Sequence, residues 1–300
     1  MAEAEEGRLF RLDAESCRGL LPHRDPEAHK FTFGRVTAVC GSIDYAGAAY
    51  LVALAAARGG AGLVAMAVPE SLKPIFAGRL PEAILVGLPQ TADGSIEAEM
   101  ALDAILEREP DALIVGPGLK ETDDYQSLIG ALLTRVAKPV VVDAGAIGML
   151  GRSREIWGSI KANCVIIPHA GEFERLTGEP ASVTDVARIA SARMAAAELR
   201  QVLVLKGART VIAAADGRVA ISPFANAALA TAGSGDVLAG LVGALLAQGV
   251  EPFDAACLGV YLHGRAGERI SFRVGNAGLL ASDLPYEIAL ARHELDAHSS

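Results

Sequence analysis

Short runs of Val, Ile and Leu alternate with longer helical patterns along most of this chain, and that alternation leaves few architectures open. The runs are R-V-T-A-V-C from Arg35, G-L-V-A-M-A-V from Gly62, A-L-I-V from Ala112, P-V-V-V from Pro139, C-V-I-I from Cys164 and V-L-V-L from Val202. They show little polar alternation, as strands do when helices cover both faces of a parallel sheet. Between them, residues 46–58, 97–107, 125–135 and 184–198 carry Ala and Leu at spacings that give each helix one buried face. The predicted fold is therefore α/β, a mainly parallel central sheet with helices on both faces. Near the end the pattern changes: Val211 to Ile221 reads as a hairpin turning at Asp216-Gly217, and the chain after it is mostly helical. A composition of 51% hydrophobic but only 5% aromatic residues, with 32 glycines, suits a core of small aliphatic side chains.

Charge narrows the partners. A net charge of -9 and the lack of a basic run argue against nucleic acid or an anionic membrane surface. The uncharged stretch from Val237 to Val250 has 14 residues, short of the roughly 20 that cross a bilayer, and reads as a buried helix. The start, M-A-E-A-E-E-G-R, is acidic where an export signal is basic. Cys17, Cys40, Cys164 and Cys257 have no metal-like spacing and sit in apolar settings, which points to buried thiols in a reducing, cytoplasmic compartment.

The polar and glycine-rich motifs fall after the apolar runs, where open α/β sheets bind ligands. C-G-S-I-D-Y-A-G-A-A follows the first run, G-P-G-L-K follows Val115, D-A-G-A follows Val142, P-H-A-G-E follows Ile167 and K-G-A-R-T follows Leu205, so five loops can share one edge. The most informative motif is A-T-A-G-S-G-D from Ala230 to Asp236. Gly233 and Gly235 let backbone N–H groups approach an anion, the following helix turns its positive end to the same point, and Asp236 stands ready to take a proton from an attacking hydroxyl. The same carboxylate also suits simple stabilisation of a helix start. Lys206 and Arg209 flank Gly207 as a cationic turn suited to nucleotide phosphates. His169 reads either as a ligand contact or as a helix cap, and Glu172 either as a water-mediated Mg²⁺ contact or as a helix-stabilising acid.

Taken in order, eight segments resemble the ADP/ATP-dependent NAD(P)H-hydrate dehydratases of the ribokinase-like superfamily. They are H-K-F-T-F-G-R-V, G-S-I-D-Y-A-G-A-A, G-G-A-G-L-V, L-I-V-G-P-G-L, P-H-A-G-E-F-E-R-L, L-V-L-K-G-A-R-T-V-I, L-A-T-A-G-S-G-D-V-L-A-G and G-V-Y-L-H-G-R-A-G. The resemblance covers residues 29–292, leaving 1–28 as an N-terminal extension and 293–300 as an expected disordered tail. It implies a ribokinase-like fold and a lyase that restores NADH and NADPH from the hydrates NADHX and NADPHX. The hydroxyl is phosphorylated and phosphate then leaves, with ADP as the expected donor, ATP as the other candidate, and Mg²⁺ assisting. By the same resemblance Asp236 is the base, Ala48, Gly118, His169 and Asp236 line the hydrate site, and Lys206, Gly207, Ala208, Arg209, Thr210 and Gly235 form the nucleotide site. A homotetramer and a separate NAD(P)H-hydrate epimerase, expected because only about 28 residues precede the match, complete what it implies.

The chain departs from the family pattern where D-A-D-A-L-N is usual. It has Asp143-Ala144-Gly145-Ala146-Ile147-Gly148, without the second carboxylate or the amide, and it carries Ala170 in place of a proline. Loss of these groups is expected to weaken metal-water or substrate contacts. Two other functions stay open on residues alone: a hydroxyethylthiazole-kinase-like enzyme releasing a stable phosphorylated product, and a nucleotide-binding sensor without turnover.

Overall fold

The computed structural model describes residues 9–91, 96–151, 154–182 and 184–297. Its strands are β1 (Leu9–Arg11), β2 (Arg35–Val39), β3 (Leu63–Pro69), β4 (Ile84–Leu88), β5 (Ala112–Val115), β6 (Val140–Val142), β7 (Cys164–Ile166), β8 (Val202–Leu205), β9 (Val211–Ala213) and β10 (Val219–Ile221). The helices are α1 (Ala14–Arg18), α2 (Ala46–Arg58), α3 (Lys73–Phe76), α4 (Ala98–Leu106), α5 (Asp123–Arg135), α6 (Gly145–Gly151), α7 (Ala170–Thr177), α8 (Asp185–Leu199), α9 (Ser234–Ala247), α10 (Pro252–Val274) and α11 (Leu284–Ala297). The six apolar runs and the Asp216-Gly217 hairpin all form the expected strands.

The strands make one sheet in the order β1-β10-β9-β8-β7-β6-β5-β2-β3-β4. Among the described strands every pairing is parallel except the two made by β9. Chain order runs outward from β2 to β3 and β4 on one side, then returns to β5 and proceeds the other way. The loops after β2 and β5 therefore part at a topological switch point, the crevice where this class of sheet binds ligands.

Alternating strand residues face two cores. On one side Val36, Ala38, Ile114 and Val141 pack with α2, α9, α10 and α11. On the other, Val39, Leu113, Val115 and Val142 pack with α4 to α8. All four cysteines are buried and unpaired, as their apolar settings predicted. Among the described residues no helix is long and apolar enough to cross a membrane.

Three features were not legible as written in the sequence. β4 closes one edge of the sheet by pairing with β3. Residues 9–28, ahead of the expected domain start, are built into the fold: β1 pairs with β10, and Leu12 and Cys17 are buried. The expected disordered tail does not hold over 293–297, which form the last turns of α11 with Leu295 buried. Burial of Leu295, Arg18 Nε donating to Leu295 O at 3.0 Å and the pairing of Arg269 with Glu294 tie this helix end down. Residues 1–8 and 298–300 lie outside the described residues.

Candidate active site

Five strand ends and one helix N-terminus meet at the carboxyl edge of the sheet. The loops after β2 and β5 are stitched by Gly41 N–H donating to Pro117 O at 2.8 Å. Gly118 takes a φ of +70°, and a Cβ there would stand 2.7 Å from Ala48 Cβ and 2.8 Å from Tyr45 O. Ala48 and Gly118 thus abut as one wall, and its flatness depends on both side chains being minimal. A salt bridge from Lys120 Nζ to Asp44 Oδ2, 2.7 Å, joins the same two loops further out.

After β6 stands Asp143, almost fully buried. Its Oδ1 accepts from Ala144 N–H at 2.9 Å and from Lys206 Nζ at 2.8 Å. After β7, His169 caps α7: Nδ1 accepts from Gly171 and Glu172 N–H at 3.0 and 3.1 Å, which puts any ring proton on Nε2. Glu172 returns Oε2 to the His169 N–H at 2.8 Å and holds Oε1 3.4 Å from His169 Nε2. Lys206, at the end of β8, also reaches Glu172 Oε2 at 3.5 Å.

α9 begins behind Gly233, whose φ of +87° turns the chain into the helix. Ser234 is anchored by His263 on α10, whose Nε2 lies 3.1 Å from its Oγ and 3.0 Å from its carbonyl oxygen. Burial drives His263 down to about 4, so the ring is neutral at ordinary pH. A Cβ at Gly235 would lie 3.3 Å from Lys206 Nζ, so that glycine lets the helix start sit against the ammonium. Asp236 follows, half-buried. Burial, reinforced by Asp143 and Glu172 and opposed by Lys206, pushes its carboxyl up to about 7. A carboxylate poised there takes a proton from a hydroxyl far more readily than one at its ordinary value.

Beside these groups opens a cavity of about 720 Å³. Lys206, Gly207, Ala208, Thr210, Gly235 and His169 line it, so most of the expected nucleotide turn faces one space. Arg209 does not join them. Its Nε donates to Asp185 Oδ2 at 2.7 Å, and the two cations of K-G-A-R-T point apart. Asp236, Ala48 and Gly118 are not part of this lining. Phe224, Leu229, Val260 and His263 add an apolar side that carried no assigned role in the sequence. Asp143 was missed as well; its one signal was a carboxylate directly after an apolar run.

Among the described residues no three His, Cys, Asp or Glu side chains gather closely enough to hold a metal ion. The departures at Gly145 and Gly148 also acquire a setting. A Cβ at Gly148 would lie 2.3 Å from Glu121 Oε1, and one at Gly145 would lie 2.6 Å from Leu119 O. Glu121, which accepts from Arg175 Nη1 at 3.1 Å, occupies the space a larger side chain would take.

A family model described as NAD(P)H-hydrate dehydratase matches residues 36–289. The chain is 42% identical over 291 residues to a bifunctional NAD(P)H-hydrate repair enzyme of Moorella thermoacetica, across 95% of this chain and 55% of that protein. It is 37% identical over 270 residues to the ADP-dependent (S)-NAD(P)H-hydrate dehydratase of Bacillus subtilis, across 90% and 93% of the two chains. The crystal structure of the Bacillus subtilis ADP/ATP-dependent dehydratase, co-crystallised with ATP and Mg²⁺, matches with a TM-score of 0.84 at 35% identity, covering 95% of this chain and 98% of that one. The chain thus spans about half the length of the bifunctional relatives and nearly all of the shorter one.

Proposed function

Because the chain belongs to the NAD(P)H-hydrate dehydratase family and has a ribokinase-like fold, we propose that it repairs hydrated NADH and NADPH by nucleotide-driven removal of water. The observation that carries this reading is Asp236, a carboxyl raised to about 7 at the N-terminus of α9 and next to the cavity lined by the K-G-A-R-T turn.

The nucleotide lies in that cavity, with the backbone of Gly207, Ala208, Thr210 and Gly235 meeting its phosphates. The hydrate lies against Ala48, Gly118 and His169, its hydroxyl at Asp236. Asp236 accepts the hydroxyl proton as the oxygen attacks the terminal phosphorus of ADP, and the bond from that phosphorus to AMP breaks. Phosphate then leaves the ring with the carbon–oxygen electron pair, expelled by the lone pair of the ring nitrogen. Loss of a proton from the neighbouring carbon restores the double bond. The products are AMP, phosphate and the reduced dinucleotide; with ATP as donor, ADP replaces AMP.

Mg²⁺ belongs to this reading as the companion of the nucleotide. When bound, it would neutralise charge on the phosphates as the phosphoryl group moves. A homotetramer in the cytoplasm, working beside an NAD(P)H-hydrate epimerase that interconverts the hydrate epimers, completes the proposal.

The test is incubation with NADHX or NADPHX, Mg²⁺ and either ADP or ATP, following the absorbance of the restored dihydronicotinamide. Reduced dinucleotide and phosphate in equal amounts are the expected outcome. A stable phosphorylated alcohol, or nucleotide binding without products, overturns it.

A further inference from the structure

Lys206 has a side chain whose placement does not match the phosphate contact its motif suggests. Its Nζ sits between two carboxylates from different strand ends, 2.8 Å from Asp143 Oδ1 and 3.5 Å from Glu172 Oε2. The side chain is only 20% exposed, and Gly235 leaves room for the ammonium directly beneath the first turn of α9. Glu172 is itself held by the backbone N–H of His169, so the clamp ties the ends of β6, β7 and β8 to one point.

The charged groups acting on Asp236 are few. They are Asp143 at the end of β6, Glu172 on α7 and Lys206 after β8; Cys40 beyond β2 also couples to Asp236 but is kept as a thiol by burial, and His263 on α10 is kept neutral by burial and by the Lys206 charge. Three carboxylates therefore share one ammonium. Without it, their mutual repulsion in a poorly solvated pocket would favour protonation of the least stabilised, Asp236. Burial alone would lower Lys206, yet the two carboxylates outweigh it and hold the lysine above its ordinary value, so the ammonium stays charged.

We propose that Lys206 is a positioning residue and not a phosphate ligand: it clamps Asp143 to Glu172 and stabilises the ionised form of Asp236 that accepts the substrate proton. This rests on the assignment of Asp236 as the base in the proposed dehydratase reaction.

The experiment compares the full-length parent with K206M and K206R. In K206M the acid limb of the kcat/KM profile moves upward by about one pH unit or more, while the ADP dissociation constant changes by less than about 10-fold. K206R keeps the charge and brings the limb back toward the parent. In the parent at saturating ADP, the Lys206 ammonium shows no ¹⁵N–³¹P hydrogen-bond coupling to the nucleotide. An unmoved limb in K206M, a limb in K206R as displaced as in K206M, a loss of ADP affinity of about 10-fold or more, or such a coupling overturns the proposal. If K206M does not fold, K206Q takes its place in the same measurements. If the parent shows no dehydratase turnover, the functional reading fails by itself, and titration of the ¹³C-labelled Asp236 carboxyl in parent and K206M still decides the role of Lys206.

Discussion

His263 holds Ser234 at two points, with Nε2 3.1 Å from its hydroxyl and 3.0 Å from its carbonyl oxygen, and so ties α10 to the first residue of α9. The neutral ring gives its one N–H to this pair. Protonation would require burying a charge, which is why burial holds the group near 4 against an ordinary 6.5. The folded state thus binds fewer protons than the unfolded chain between these values. The stability that His263 contributes is complete above about 6.5 and is lost as pH falls through about 4. H263Q is expected to flatten that part of the stability–pH curve, and H263A to cost about 1–3 kcal/mol by leaving Ser234 without its partner. Urea unfolding from pH 4 to 8 checks both.

D236N is expected to lower turnover by at least ~100-fold while ADP affinity stays nearly unchanged, because the amide keeps the shape but cannot take a proton. Steady-state kinetics with a binding titration measures the split. A rate close to the parent's removes Asp236 from the mechanism.

The raised Asp236 carboxyl has opposite effects on rate and stability. The rate should climb with pH through about 7, as the base ionises. Stability runs the other way: between its ordinary 3.8 and about 7 the folded state binds the extra proton, so the contribution of Asp236 is complete below about 4 and is lost as pH rises through 7. D236N should therefore melt higher than the parent at pH 8 and no higher at pH 4. Calorimetry at the two pH values tests it.

Glu121 fills the space beside Gly148, since a Cβ there would meet its Oε1 at 2.3 Å. That oxygen ends a flexible side chain and can swing aside, so G148N should cost less than about 1 kcal/mol, whereas a Cβ at Gly145 would meet the fixed carbonyl oxygen of Leu119 at 2.6 Å and G145A should destabilise the protein by about 1–3 kcal/mol from overpacking. Equal stability of G145A and the parent in denaturant would show that the space at Gly145 is not contested.

Arg209 turns toward Asp185, with Nε 2.7 Å from Oδ2. R209A should accordingly change ADP affinity by less than about 3-fold, and the exposed pair should contribute little stability. Titration calorimetry decides, and a large loss of affinity would return the guanidinium to the nucleotide site.

Much of this protein was readable along the chain because its signals are local. Continuous apolar runs such as V-V-V at Val140 and V-L-V-L at Val202 mark strands covered on both faces, and Gly233 to Asp236 mark a helix start that suits an anion. The strand β1 was not readable, because three exposed residues become a strand only when β10 lies alongside. The same holds for the clamp. Lys206 reads as a phosphate-binding cation while only K-G-A-R-T is in view, and its partner Asp143 stands 63 residues earlier. Sheet order sets the ends of β6, β7 and β8 side by side, and in that poorly solvated place an ammonium is held by the carboxylates it meets. Local periodicity and turn chemistry determined the elements and the identity of the motif residues. Which charge faces which was decided by long-range strand pairing, which has no signature in any short stretch of sequence.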